Sequence, residues 1–288
     1  MLHIIHNDVM TVAAEEVGAQ LWSILGADGT QYLWQGDPRY WSDRSLTIFP
    51  YVARLWEARY EMDGEAFPLP IHGFAPGSRF ELTEKTDEGM TLELRDRERT
   101  LAQYPRRFAF RVTYALEGRT LGVTYAVENL DERAMYFGLG GHPGFNVPLE
   151  AGLSFEDYRL RFAQPCAPER VGFTPDCFVS GEDMPFPLEE GGVLPLCHTL
   201  FDDDAIVLRG MAREVTLEAP GGARSVTVSF PDMPYLGIWP KTDAPYVCIE
   251  PWSSLPARTG EIACFEKQED LIRLEPGKTY TNRWTIRV

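Results

Sequence analysis

Apolar and polar positions along the chain alternate with a period of two far more often than 3.6. In "FAFRVTYALEGRTLGVTYAVENL", Phe108, Phe110, Val112, Tyr114 and Leu116 form one alternating run. "EGRT" interrupts it, and Leu121, Val123, Tyr125 and Val127 form a second. Side chains on a strand point to opposite faces in turn, so this pattern predicts a β-hairpin with one buried face. "FELTEKTDEGMTLEL" repeats the form around Gly89, and "LWSILGADGTQYLW" places Ala27-Asp28-Gly29 between two apolar runs. "TYTNRWTIRV" alternates through Tyr280, Trp284, Ile286 and Val288. Helical spacing is scarce; "ACFEKQEDLIRL" is read as one or two helical turns.

The 25 glycines and 22 prolines are spread along the chain as turn punctuation, without a linker, a composition break or a fixed-period repeat. A single all-β domain over residues 1–288 is expected. At this length the strands must form two stacked sheets or a barrel, because one open sheet would leave an apolar face in water.

Composition narrows the partners. Apolar residues make up 44%, enough for a sizeable core. The net charge of -16 opposes phosphate backbones and anionic lipid, so neither nucleic acid nor a membrane surface is an expected partner. Five cysteines, none in CxxC spacing, predict free thiols and a cytoplasmic protein. "MLHIIHNDVM" lacks a basic region followed by a long apolar run, so no secretory signal is expected.

Several stretches carry candidate chemistry. "FGLGGHPGFN" spends four glycines and a proline around His142. Glycine weakens a strand, so either a ligand or a neighbouring backbone comes close there, or the stretch is a glycine-rich turn whose histidine caps backbone. In "APYVCIEPWSSLP", a strand over 246–250 turns Val247 and Ile249 to one side and Tyr246, Cys248 and Glu250 to the other. Glu250 then stands at the strand's end, either desolvated beside thiol and aromatic groups, which raises its basicity, or an ordinary edge carboxylate in solvent. His72 sits at a glycine-softened bend in "LPIHGFAPGSRFEL". Arg54 lies in the apolar run "LTIFPYVARLWEARY", where it needs an anion or a set of hydroxyl acceptors, if not one of the many carboxylates. Asp202, Asp203 and Asp204 do not match a calcium loop, and no metal site is expected. No nucleophile elbow, phosphate loop or HExxH motif is present. Of the seven tryptophans, most are expected in the core, although indole faces also stack well on sugar rings.

Taken in order, "GAQLWSI", "YLWQGDPRYW", "LTIFPYVARL", "IHGFAP", "GGHPGFN" and "YLGIWPKTDAPYVCIEPWSSLPA" resemble the aldose 1-epimerase (galactose mutarotase) family in its bacterial LacX-like branch. The resemblance implies a large antiparallel β-supersandwich that interconverts the α and β anomers of aldoses. It implies that His142 is the general acid and Glu250 the general base. It further implies that His72 contacts the sugar near its ring oxygen and that Arg54 binds hydroxyls. An aspartate within 202–204, with Asp203 as the candidate, also binds hydroxyls. The chain departs from the family pattern at Ala53, where glycine is expected, and at Pro76 and Pro240.

Such a reaction needs one base and one acid, and no cofactor or metal is expected. With ordinary values of about 4.3 for Glu and about 6.5 for His, Glu250 serves as base at neutral pH. His142 then needs its protonated form favoured by a carboxylate. The two are expected on opposite sides of the sugar's ring edge, with the glycines giving the ring clearance. The expected partner is a monosaccharide, and the expected assembly a monomer or weak dimer. Two other readings use the same fold: a non-catalytic sugar-binding or sensor domain, and a hexose-6-phosphate 1-epimerase. The second needs a basic pocket rim, for which only Arg54 and Lys241 are available. A two-carboxylate glycosidase lacks a convincing second acid.

Overall fold

The computed structural model describes residues 1–288. The alternating runs pair as their pattern predicts. Phe108–Glu117 and Thr120–Asn129 form a long antiparallel hairpin, and Glu81–Lys85 pairs with Gly89–Arg95 beside it. Thr279–Arg287 joins the other edge of that hairpin. These strands centre a nine-stranded sheet, and a seven-stranded sheet stacks on it. Val247 and Ile249 from the second sheet share one apolar core of 65 buried residues with Val123, Tyr125 and Trp284 from the first. The expected two-sheet, all-β architecture is therefore present, and its helical segments are no longer than four residues.

Three local expectations need correction. "ACFEKQEDLIRL" forms no helix. Its ends are captured as strands instead: Ala263–Cys264 pairs in parallel with Tyr60 and Glu61, and Ile272–Leu274 pairs with Met135–Phe137. A short helix pays the full nucleation cost, and tertiary pairing at both ends outweighs it. The "ADG" turn forms, but the run after it makes only isolated bridges, one back to Leu25 and one from Leu33 to Phe145. Glu250 is not at a strand end, because its strand runs on through Pro251 as Tyr246–Trp252. Pro251 lies opposite Leu236 in that ladder, and the strand is buried throughout.

The seven-stranded sheet positions the site. Its order places Tyr246–Trp252 between Tyr235–Trp239 and Gly140–Asn146, with Ser45–Ile48 at the edge beyond. Gly140 pairs with Trp252 and Gly144 with Cys248, so His142 is set directly across from Glu250. The glycines of this strand serve the protein's own packing rather than giving clearance to a ligand. A Cβ on Gly141 would lie 2.5 Å from the Trp284 ring in the core. On the opposite face, Cβ atoms on Gly140 and Gly144 would press on Trp252 and on Trp34 and Trp41. Gly141→Ala is expected to overpack the core and destabilise the fold by about 1–3 kcal/mol, read from the urea midpoint at an unchanged slope.

Candidate functional site

Alternation along the two central strands sends Val247 and Ile249 into the main core, and Tyr246, Cys248 and Glu250 to the other face. His142 emerges on that same face. Its Nε2 lies 3.3 Å from Glu250 Oε2. The two groups sit side by side on neighbouring strands, not on opposite sides of a ring edge, because adjacent strands bring paired side chains within contact. Both are buried, Glu250 at 1% exposure and His142 at 8%. The contact is not in hydrogen-bond alignment: Glu250 Oε2 and His142 Nδ1 are both buried without a partner.

The electrostatics follow from that burial. Desolvation pushes the Glu250 carboxyl well above the usual carboxylate range, Asp204 adds to the rise, and the nearby Trp252 indole N–H offsets part of it. Desolvation holds the His142 imidazole well below its ordinary value, and His72 adds to the fall. The shift of His142 runs against the expected protonated form, because loss of water disfavours an imidazolium. Both shifts favour the uncharged form of each group, with the one proton of the pair on the carboxyl. Moving it across to His142 gives an imidazolium and a carboxylate with no change in net charge.

Above the pair opens a cavity of about 350 Å³. His142, Glu250, His72, Arg54 and Asp203 all line it, so the fold gathers these five candidates in one place. His72 has a positive φ of 61° at the bend. Its Nδ1 accepts a hydrogen bond from the Ala53 N–H at 3.3 Å, which places its proton on Nε2. Burial, with Arg54 adding to it, lowers the His72 pKa to about 4, so at neutral pH it is a neutral donor. Arg54 is exposed at the mouth, and no carboxylate lies within ion-pair distance of it. Ala53 has φ 54°, a left-handed conformation that glycine adopts without strain, so the glycine expected there has a physical basis. Among the three adjacent aspartates, Asp203 and Asp204 line the cavity and Asp202 does not. Asp204 Oδ2 accepts a weak hydrogen bond from the Cys177 thiol at 3.4 Å, and burial, with Asp204 beside it, pushes that thiol up to about 11.

The walls were not legible from the sequence. Trp41, Trp239 and Trp252 all line the cavity, whereas only Trp284 among the tryptophans joins the main core. Trp41 lies over the His142 ring at 4.9 Å between centroids, and Trp239 and His72 meet it edge-on at 5.8 and 5.4 Å. These rings, rather than a hydrogen bond at Nδ1, orient the imidazole. Trp239 and Trp252 stand on the strands Tyr235–Trp239 and Tyr246–Trp252, but Trp41 comes from a loop whose path no local pattern predicts. All five cysteines are free, and no helix is long and apolar enough to cross a membrane.

The LacX protein of Lactococcus lactis subsp. lactis (plasmid form) is 32% identical over 292 residues, spanning 98% of this chain and 97% of that one. Among solved structures, a galactose mutarotase related enzyme from Lactobacillus acidophilus is 30% identical and superposes with a TM-score of 0.94 over 100% of this chain and 97% of its own. A galactose mutarotase-like protein from Lactobacillus casei is 31% identical with a TM-score of 0.92, over 100% and 99% of the two chains. The aldose 1-epimerase family model matches residues 1–287. Whole-length sequence match and whole-length superposition agree, and the chain belongs to the aldose 1-epimerase family, in its LacX-like branch.

Proposed function

We propose that the protein is a cofactor-free aldose 1-epimerase that interconverts the α and β anomers of a neutral aldose. The observation that carries this reading is the buried His142–Glu250 contact of 3.3 Å at the floor of a sugar-sized cavity. In its imidazolium–carboxylate form, Glu250 takes the proton of the anomeric hydroxyl while His142 delivers one to the ring oxygen. The C1–O5 bond breaks, an aldehyde forms, and rotation about C1–C2 turns its other face to the C5 hydroxyl. Closure reverses both transfers, so the pair ends with the single proton it began with. His72 Nε2–H donates to a substrate oxygen, and Arg54 with Asp203 holds hydroxyls at the mouth. The apolar faces of Trp41 and Trp239 suit the C–H face of a pyranose.

Charge favours a neutral substrate over a sugar phosphate. Three aspartates line the cavity, Asp43, Asp203 and Asp204, against the single guanidinium of Arg54, and Lys241 is not among the lining residues. Mutarotation measured side by side on glucose and glucose 6-phosphate should favour glucose. Preference for the phosphate would contradict the neutral-aldose reading.

The shared proton also dictates the pH dependence. Below the depressed value of His142 both groups are protonated and no base remains. Above the raised value of Glu250 both are deprotonated and no acid remains. The pair titrates as a unit, so kcat/KM should follow a bell. Its acid limb should fall below about 6.5 and its alkaline limb above about 4.3, the ordinary values of His and Glu. An acid limb above the ordinary histidine value would rule out the shared-proton pair.

A further inference from the structure

Cys248 plays no part in the mechanism above, yet it belongs to the same buried cluster. It precedes Glu250 by two residues on one strand, so both side chains face the same way, and it is fully buried. A histidine nitrogen, the Cys248 Sγ and a Glu250 carboxylate oxygen all lie within 4.8 Å of one another. The set mixes a thiol, an imidazole and a carboxylate, the ligand types that hold zinc in three-ligand sites with an open fourth position.

We propose that His142, Cys248 and Glu250 form a zinc-binding site, and that zinc bound there closes the cavity to sugar. Zinc–ligand lengths of about 2.0–2.3 Å in a tetrahedron place ligand atoms about 3.3–3.8 Å apart. The 3.3 Å between His142 Nε2 and Glu250 Oε2 already meets that spacing. The remaining separations need a side-chain adjustment of an ångström or so, since none exceeds 4.8 Å. An independent feature points to a ligand at the same place. Glu250 Oε2 is buried without a hydrogen-bond partner although the group is almost wholly enclosed, which is costly unless something fills the position. The fourth zinc position faces the cavity, because His142 and Glu250 line it. Metal held there ties up both the acid and the base, so occupation and turnover exclude each other. Binding releases the thiol proton of Cys248 and the carboxyl proton of Glu250 to solvent, and the thiolate so formed favours zinc over magnesium or calcium.

Cobalt(II) is the probe, because a thiolate ligand gives it a near-ultraviolet sulfur-to-metal charge-transfer band. One cobalt per chain should raise that band in the wild type, and stoichiometric zinc should abolish it. Cys248→Ala should remove it, while Cys177→Ala, which takes away the thiol that lines the cavity, should leave it in place. No band at saturating cobalt, or a band that survives Cys248→Ala, overturns the proposal. If the alanine variant folds poorly, calorimetric zinc titration of Glu250→Gln and His142→Ala carries the test. Each should weaken zinc by more than the roughly 10-fold that loss of an outer-shell partner costs. Unchanged affinity in both would overturn the site. Inhibition by zinc rests on the mutarotase reading, whereas the cobalt band does not, so the two ideas fail separately.

Discussion

Glu250→Gln is expected to lower the catalysed rate of anomer interconversion by about 10²–10⁴-fold, the usual contribution of a positioned general base. Glutamine keeps the shape of the side chain and cannot accept the anomeric proton. The fold should not suffer. Burial favours the neutral form of this carboxyl, and a neutral amide of the same size avoids the cost of a buried charge. Thermal unfolding should therefore occur at or above the wild-type midpoint while turnover, followed by polarimetry, collapses. Loss of turnover together with loss of the fold would leave the assignment to a conservative Glu250→Asp comparison, in which partial activity is expected. Full activity in the glutamine variant would remove Glu250 from the chemistry.

His142→Ala should cost a similar factor, again about 10²–10⁴, because it removes the proton donor for the ring oxygen. It also opens space between Trp41, Trp239 and His72, the rings that hold the imidazole. That space permits a sharper readout than rate loss alone. Added imidazole should restore part of the activity in the variant and leave Glu250→Gln unaffected. A purely structural role for His142 predicts no such rescue. The double variant should be hardly slower than either single one, since acid and base act as a unit.

Much of this architecture could be read from the residues. Period-two alternation located the long hairpin at Phe108–Asn129 and the face change along Tyr246–Glu250, because strand geometry ties side-chain direction to residue parity. The ordered motif blocks pointed to His142, Glu250, Arg54, His72 and Asp203, and the fold brings all five to one cavity. What parity could not supply was register and neighbourhood. The direct opposition of His142 and Glu250 depends on a pairing that skips a hundred residues. The glycines of "FGLGGHPGFN" were read as clearance for a sugar, but their close neighbours are Trp284, Trp252, Trp41 and other groups of the protein itself. Protonation depends on burial in the same way: a nearby carboxylate raises an imidazole pKa only where it is charged, and burial at this depth disfavours the charged form of both groups. The helix expected near Glu266 failed because both flanks found strand partners distant in sequence.

In the proposed mechanism, one shared proton between His142 and Glu250 drives ring opening and closure. The most direct test follows the anomeric proton signals of freshly dissolved α-glucose or α-galactose by NMR, with and without catalytic amounts of the protein. The account predicts that approach to anomeric equilibrium accelerates in proportion to protein concentration, and that Glu250→Gln returns the rate to that of buffer alone. Sugar binding without any acceleration by the wild type would contradict it, and would make the cavity a binding site with no chemistry.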